Sequence, residues 1–360
     1  MYKKNICLFF LLLSFNNLNI YADSLEEDIA KNKERFSQIA LDIWEFAEMG
    51  YQEVKSSNLL ANELQNQGFK ITKNVAGIPT AFIAQYGSSG PVIGILGEFD
   101  ALPGLAQSSS PFKEIEENET GAGHACGHHL FGAASAWAAV AVKEWLNTNK
   151  IKGRIRFYGT PAEEGGSGKV YMVRGGLFDD VDIVLHWHPS SVNQANPRSS
   201  NANKSAKFRF KGISAHAAGS PDKGRSALDG VEAMNHMVNM MREHIPQESR
   251  MHYVITQGGF APNVVPDSAE VYYYIRHPKM NVVEELFQRV VKISEGAALG
   301  TGTTVTHEVM HGNFSLLPNN TLQELMHKNL TKRGGIQYDK KELAFAEEIY
   351  ATLIQPGGKL

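Results

Sequence analysis

Short apolar runs bounded by glycine, alternating with helical stretches, predict an α/β protein whose mainly parallel sheet carries helices on both faces. A later block reads strand, helix, strand, strand, helix, and predicts a compact α+β unit inserted into the first. The 360 residues have room for both, since a domain takes roughly 150. A hydrophobic content of 42% and a charged content of 20% are ordinary for a globular protein. The net charge of −3 leaves no basic surplus, which argues against nucleic acid or an anionic membrane as partner.

The elements follow in order. Lys3 and Lys4 precede an apolar run over 6–13, and Ile20, Tyr21 and Ala22 lead into the acidic Asp23. Positive charge, apolar run and small residue in that order predict a secretory signal peptide over 1–22, and with it export to the periplasm. The run is shorter than the ~20 residues that span a bilayer. Cleavage would remove Cys7 and leave Cys126 unpaired in an oxidising compartment. Residues 25–68 place Ile39, Ile43, Phe46 and Ala47 at helical spacing before Gly68, which predicts one amphipathic helix. Residues 80–84 and 92–96 read as buried strands, 133–146 as an Ala-rich helix, and 154–158 and 183–185 as further strands. After a polar linker over 190–204 come a strand (206–211), a helix (226–243), two strands (251–256 and 269–276), a helix (282–299) and a last strand (305–309). A final helix is expected over 343–353, and no internal repeat is visible.

Three clusters carry chemistry. Cys126 and His128 lie two apart in the glycine-flanked segment Gly121 to Gly132 that opens the Ala-rich helix. A thiolate and an imidazole from one turn suit a borderline-soft cation such as Zn²⁺. Glu163 and Glu164 follow a predicted buried strand, and adjacent carboxylates there need a positive partner. His186 and His188 close another apolar strand. Each cluster alone has a plain structural reading: a local hydrogen bond, a solvated acidic turn, a packed histidine. Together, at strand ends and a helix start, they point to a metal site. Asp100, at a further strand end, is suited to orient a ligand or to cap its own turn.

At these residues the chain resembles the M20 metallopeptidase family, in its amidohydrolase branch (subfamily D), and there the aminobenzoyl-glutamate hydrolase group. The segments that carry the resemblance begin at Glu98, Gly123, Gly159, Leu185, Gly212 and Pro262, and they fall in family order and spacing. The resemblance implies a zinc-exopeptidase-like catalytic sheet over 23–200, a ferredoxin-like dimerisation domain over 201–312, and a return to the catalytic domain over 313–360. It implies two divalent ions, Zn or Mn, held by Cys126, His128, Glu164 and His188, with His186 as the alternative to His188. Glu163 becomes the general base, Asp100 the acid that supports the site, and His216 a histidine that reaches a partner subunit's site and stabilises the oxyanion. Asn263 and Arg276 fall in the region expected to hold a substrate carboxylate. The substrate is then an N-acyl amino acid of the aminobenzoyl-glutamate kind, and the assembly a homodimer or related hetero-oligomer whose 269–276 strand is able to extend a sheet across subunits.

Two departures stand out. His129 replaces an acid that is usual in the wider branch, as in the aminobenzoyl-glutamate group. The sequence also stops at Leu360, ahead of the segment that carries the family's last ligating histidine, so a C-terminal truncation is expected. That leaves a second reading, a metal- or ligand-binding remnant without turnover. A third makes Cys126 the nucleophile of a thiol hydrolase activated by His128 and His129, and it leaves Glu163, Glu164 and His188 without a role.

Overall fold

In a computed structural model, described for residues 29–195 and 198–353, the chain divides into two compact units. One runs up to Val192 and takes up again at Ile336; the other is Asn193–Gly335, wider on both sides than the 201–312 expected from sequence. The expected signal peptide and Cys7 lie outside the described residues. Among the described residues no helix is long and apolar enough to cross a membrane.

The first unit opens with two helices, α1 (Lys33–Phe46) and α2 (Val54–Asn66), where periodicity suggested one. The break is local: Ala47 takes the left-handed conformation (φ 41°), and Met49 then bridges to Ala101. Hydrophobic spacing persists across such a corner, so periodicity alone does not reveal it. The sheet holds β1 (Lys70–Lys73), β2 (Phe82–Tyr86), β3 (Val92–Gly97), β6 (Arg154–Gly159) and β7 (Ile183–Leu185), in the order β1-β2-β6-β3-β7. The β6-β3-β7 part is parallel and β1 and β2 add an antiparallel flank. A small ladder joins β4 (Leu102–Pro103) to β5 (Ala122–Gly123). Helix α3 (His128–Thr148) packs with α1 and α2 over a core that includes Phe36, Ile39, Leu60, Phe82, Phe99 and Phe157. A second cluster, including Leu96, Phe131, Tyr158 and Met172, contains a residue of α5 (Gly168–Arg174). Between β6 and α5 lies one irregular turn, α4 (Glu163–Gly166). The unit's C-terminal helix, α9 (Lys340–Leu353), buries none of its residues.

In the parallel part, Gly97 at the end of β3 pairs with Gly159 at the end of β6, and Ile95 pairs with Leu185 at the end of β7. Three strands therefore finish side by side, and the residues after them emerge at one edge. That is where open α/β sheets place their sites.

The second unit is a four-stranded antiparallel sheet of β8 (Ala202–Lys211), β9 (Arg250–Gln257), β10 (Ser268–His277) and β11 (Thr304–Asn313), in the order β11-β8-β10-β9. Helices α6 (Ala227–Met241) and α7 (Met280–Thr301) cover one face. Strand β10 alternates strictly: Val271, Tyr273 and Ile275 enter the core, while Tyr272, Tyr274 and Arg276 face away from it. It also corrects the expectation for residues 269–276. Strand β10 is paired on both sides, with β8 and β9, so its backbone has no free edge to offer a second subunit. Within this sheet the free edges are those of β9 and β11. Helix α8 (Asn320–Arg333) completes the unit, again with no buried residue.

Candidate metal centre

The strand ends of the first unit supply the donors. Glu98 and Asp100 follow β3 and are both 1% exposed. His128 opens α3 and is fully buried. Its preceding residue, Gly127, caps that helix at φ 75°, where a Cβ would fall 2.8 Å from Pro189. Only glycine turns the chain there without strain, and this puts Cys126 and His128 on the same side. At Gly132 a Cβ would lie 2.7 Å from the Glu98 carbonyl oxygen, so the missing side chain lets α3 approach the end of β3. Glu163 and Glu164 come from α4, held between two left-handed residues, Ala162 (φ 55°) and Ser167 (φ 56°). The Ala162 N–H donates to Glu53 Oε1 at 2.7 Å, which pins the start of that turn. Trp187 donates from Nε1 to Ser135 Oγ at 3.0 Å and packs its ring 5.4 Å from Phe131. This ties the segment from His186 to His188 to α3.

Asp100 joins the motifs. His128 donates from Nδ1 to Asp100 Oδ1 at 2.9 Å, and the backbone N–H of Glu164 donates to Asp100 Oδ2 at 2.7 Å. With Nδ1 so engaged, the His128 Nε2 lone pair is turned into the site. It lies 3.0 Å from Glu98 Oε2 and 4.0 Å from Glu163 Oε2. Cys126 Sγ is 3.4 Å from His188 Nε2, and the His188 ring is 5.5 Å from the His128 ring. Two sets of donor atoms thus lie within 4.8 Å of one another: Cys126, His128 and His188, and Glu98, His128 and Glu163. Glu164 belongs to neither triad, but its Oε1 is buried without a hydrogen-bond partner beside Cys126. His186 belongs to neither triad: its Nε2 lies 3.6 Å from Glu98 Oε1, the oxygen that Lys169 also meets, and its ring packs against Phe131.

The electrostatics ask for a cation. Burial, reinforced by Glu164, Glu163 and Glu98, pushes the Cys126 thiol up to about 12. A thiol so surrounded by acids is a poor nucleophile, which counts against the thiol-hydrolase reading. Burial and the Glu98 charge also raise Glu163. Burial alone would depress His128, but Asp100 and Glu98 outweigh it and lift the imidazole to about 10. Glu98 Oε2, His128 Nε2 and Glu164 Oε1 are buried without a properly aligned partner. Convergent, unpartnered nitrogen, oxygen and sulfur donors fit a divalent ion. By contrast, burial and neighbouring imidazoles hold His124 and His129 down at about 4, neutral and outside the donor set.

Three residues with a part in this arrangement had no assigned role in the sequence. Glu98 could have been found, because strand alternation places it on the same side as Asp100. Lys169, which pairs with Glu98, and Glu53, which holds Ala162, carry no local signal.

The remaining expected site residues belong to the second unit. His216 accepts at Nδ1 from the N–H groups of Ala218 and Gly219, at 3.2 and 3.0 Å. In its neutral form the proton then sits on Nε2, as a donor. Asn263 lies beside it, its carbonyl accepting from Ala217 N–H at 3.1 Å. Arg276 stands apart: it is eight strand steps beyond Ser268, about 27 Å along β10, and its guanidinium lies over the Tyr274 ring at 5.0 Å. Within this unit Asn263 and Arg276 therefore do not converge on one carboxylate.

Comparison with known proteins places this geometry. A peptidase dimerisation domain matches residues 199–302. The chain is 47% identical over 330 residues to one of the subunits of p-aminobenzoyl-glutamate hydrolase from Escherichia coli (strain K12), covering 91% of this chain and 69% of that protein. It is 30% identical over 321 residues to Xaa-Arg dipeptidase of Mus musculus, covering 86% and 70%. In fold it is similar to the aminobenzoyl-glutamate utilization protein of Klebsiella pneumoniae, with a TM-score of 0.66, 18% identity and coverage of 91% and 90%. A dinuclear metal-binding peptidase of Bacillus subtilis gives a TM-score of 0.58 at 20% identity, with coverage of 87% and 86%.

Proposed function

This chain belongs to the M20 peptidase family and is a hydrolase, and from that premise we propose that it cleaves the amide bond of N-acyl amino acids of the aminobenzoyl-glutamate kind. One observation carries the reading: the Cys126, His128 and His188 donors converge beside Glu163 at the ends of three parallel strands. We further propose two divalent ions, Zn²⁺ or Mn²⁺, with Glu164 beside Cys126 as an added oxygen donor.

A bound divalent ion supplies Lewis acidity toward the amide carbonyl and the attacking water. Glu163, raised by burial and by Glu98, is suited to take a proton from that water and return it to the leaving nitrogen. Asp100 fixes the His128 tautomer so that Nε2 is free to ligate. His216, with its proton on Nε2, is suited to donate to an oxyanion developing in a partner subunit's site. Pairing with a second subunit would use the dimerisation domain, whose sheet offers the β9 and β11 edges. Export, from the Lys3 and Lys4 pattern, belongs to the same proposal, and the mass of the mature chain from its source cells tests it.

The test of the activity is hydrolysis of p-aminobenzoyl-glutamate, beside a panel of other N-acyl amino acids, by the full chain stripped of metal and reloaded with zinc or manganese. Turnover that a chelator abolishes and either ion restores supports the proposal. A folded protein that binds an ion and turns over none of these amides overturns it in favour of a binding protein.

A further inference from the structure

The two donor triads share one atom. His128 Nδ1 is committed to Asp100, so both triads depend on Nε2. An imidazole nitrogen has one lone pair in the ring plane and serves one ion at a time. The triads therefore compete for His128, and they differ in chemistry. Cys126, His128 and His188 offer sulfur and nitrogen, which favour zinc. Glu98, His128 and Glu163 offer two carboxylates and one nitrogen, which moves the preference toward a harder ion such as manganese.

Lys169 stands on one side of this competition. From α5 its ammonium pairs with Glu98 Oε1, while Glu98 Oε2 faces His128 at 3.0 Å with no properly aligned partner. The Lys169 side chain is 26% exposed and that of Glu98 2%, so the pair is largely shielded from solvent. A positive charge fixed on Glu98 lowers the attraction of the oxygen-rich triad for a cation directly, because Glu98 is one of its donors, and acts on the sulfur-containing triad only indirectly, through its neighbours Cys126 and His128. We propose that Lys169 is a metal-selecting residue: by neutralising Glu98 it withholds the oxygen-rich triad and directs the ion that His128 binds to Cys126 and His188. This rests on the metal-centre reading above.

The experiment measures affinities and needs no turnover. The full-length protein is stripped with a chelator, manganese binding is followed by the electron paramagnetic resonance of free Mn²⁺, and zinc binding by competition with a chromophoric chelator. In Lys169→Met, manganese should bind at least about tenfold more tightly than in the unaltered protein, with zinc within about threefold. Lys169→Arg keeps the charge and should behave as the unaltered protein does. A Lys169→Met protein whose manganese affinity is unchanged or weaker overturns the inference and leaves the metal centre standing. Absence of binding of either ion to the unaltered protein overturns both. Should Lys169→Met not fold, Glu98→Gln decides: zinc affinity within about threefold is expected, because Glu98 is already engaged, whereas a loss of tenfold or more would make Glu98 a ligand and refute the competition.

Discussion

Set side by side, the two units follow different rules. The second is locally consistent: strand alternation, an apolar core under two helices, and an open face on which Arg209 pairs with Glu270 and Glu308. Among the described residues it buries no carboxylate and holds no non-glycine residue at positive φ. The first unit contains all seven such residues and all the buried acids, Glu48, Glu53, Glu63, Glu98 and Asp100. Of these, Ala162, Ser167, Glu53, Glu98 and Asp100 gather around the strand ends. Local rules that are broken together in one place, at some loss of stability, mark a site whose geometry is held by the rest of the fold.

Substitutions in the two units should accordingly fail in different ways. Glu163→Gln keeps the shape and removes the base, and activity should fall by roughly 10³-fold while metal content and melting temperature hold. Loss of metal together with activity would make Glu163 a ligand and erase its separate role. Phe208→Ala, in the core of the second unit, should destabilise that unit by about 3–5 kcal/mol in denaturant unfolding and leave metal affinity in the folded protein unchanged. A change in metal affinity there would show that the units are not independent in this respect.

Asp100→Asn sharpens the contrast, because the change is nearly isosteric. The amide has one acceptor and one donor, where Asp100 accepts from both His128 Nδ1 and the Glu164 N–H. In one orientation its NH₂ faces the Glu164 N–H. In the other it faces His128 Nδ1, which can accept only if the proton moves to Nε2, where the ion is needed. Either way metal affinity should drop about 10- to 100-fold, as read by chelator competition. A drop smaller than threefold would reduce Asp100 to a packing residue.

How far the sequence reached follows the same division. Period-two and period-3.6 patterns are local, so the order of elements in the second unit was legible. Motifs at strand ends and a helix start pointed to the meeting of Cys126, His128 and His188, whereas Glu164, expected with them, lies outside both triads and Glu163 falls in one. What could not be read depends on contacts across the chain. The corner at Ala47 is set by a bridge from Met49 to Ala101, and Lys169 reaches Glu98 from 71 residues away. The central place of β10 reflects its pairing with β8, which no local pattern reports. Glu98 is a different case, since its two-residue spacing from Asp100 was visible in the sequence.

The smallest expected effect concerns Glu53, which is fully buried, accepts from the Ala162 N–H and the Thr80 hydroxyl, and is pushed by burial up to about 7. Its ordinary value is 4.5, so between the two the folded protein keeps a proton that the unfolded chain has lost. Stability from this group therefore declines as pH rises from about 4.5 to 7, and the full penalty stands above that. A glutamine side chain in its place would stay neutral, accept from Ala162 with its carbonyl and donate to the Thr80 oxygen. Glu53→Gln should thus stabilise the protein by about 2 kcal/mol at pH 8, with the gain fading near pH 5, as read by unfolding at both values. The same increment at both pH values would place the effect in packing; a loss at pH 8 would mean that the carboxylate charge itself holds the Ala162 turn. The expected outcome, with activity retained, would show that the hydrogen bond positions Glu163 and that the buried charge is a dispensable part of the strain concentrated in this unit.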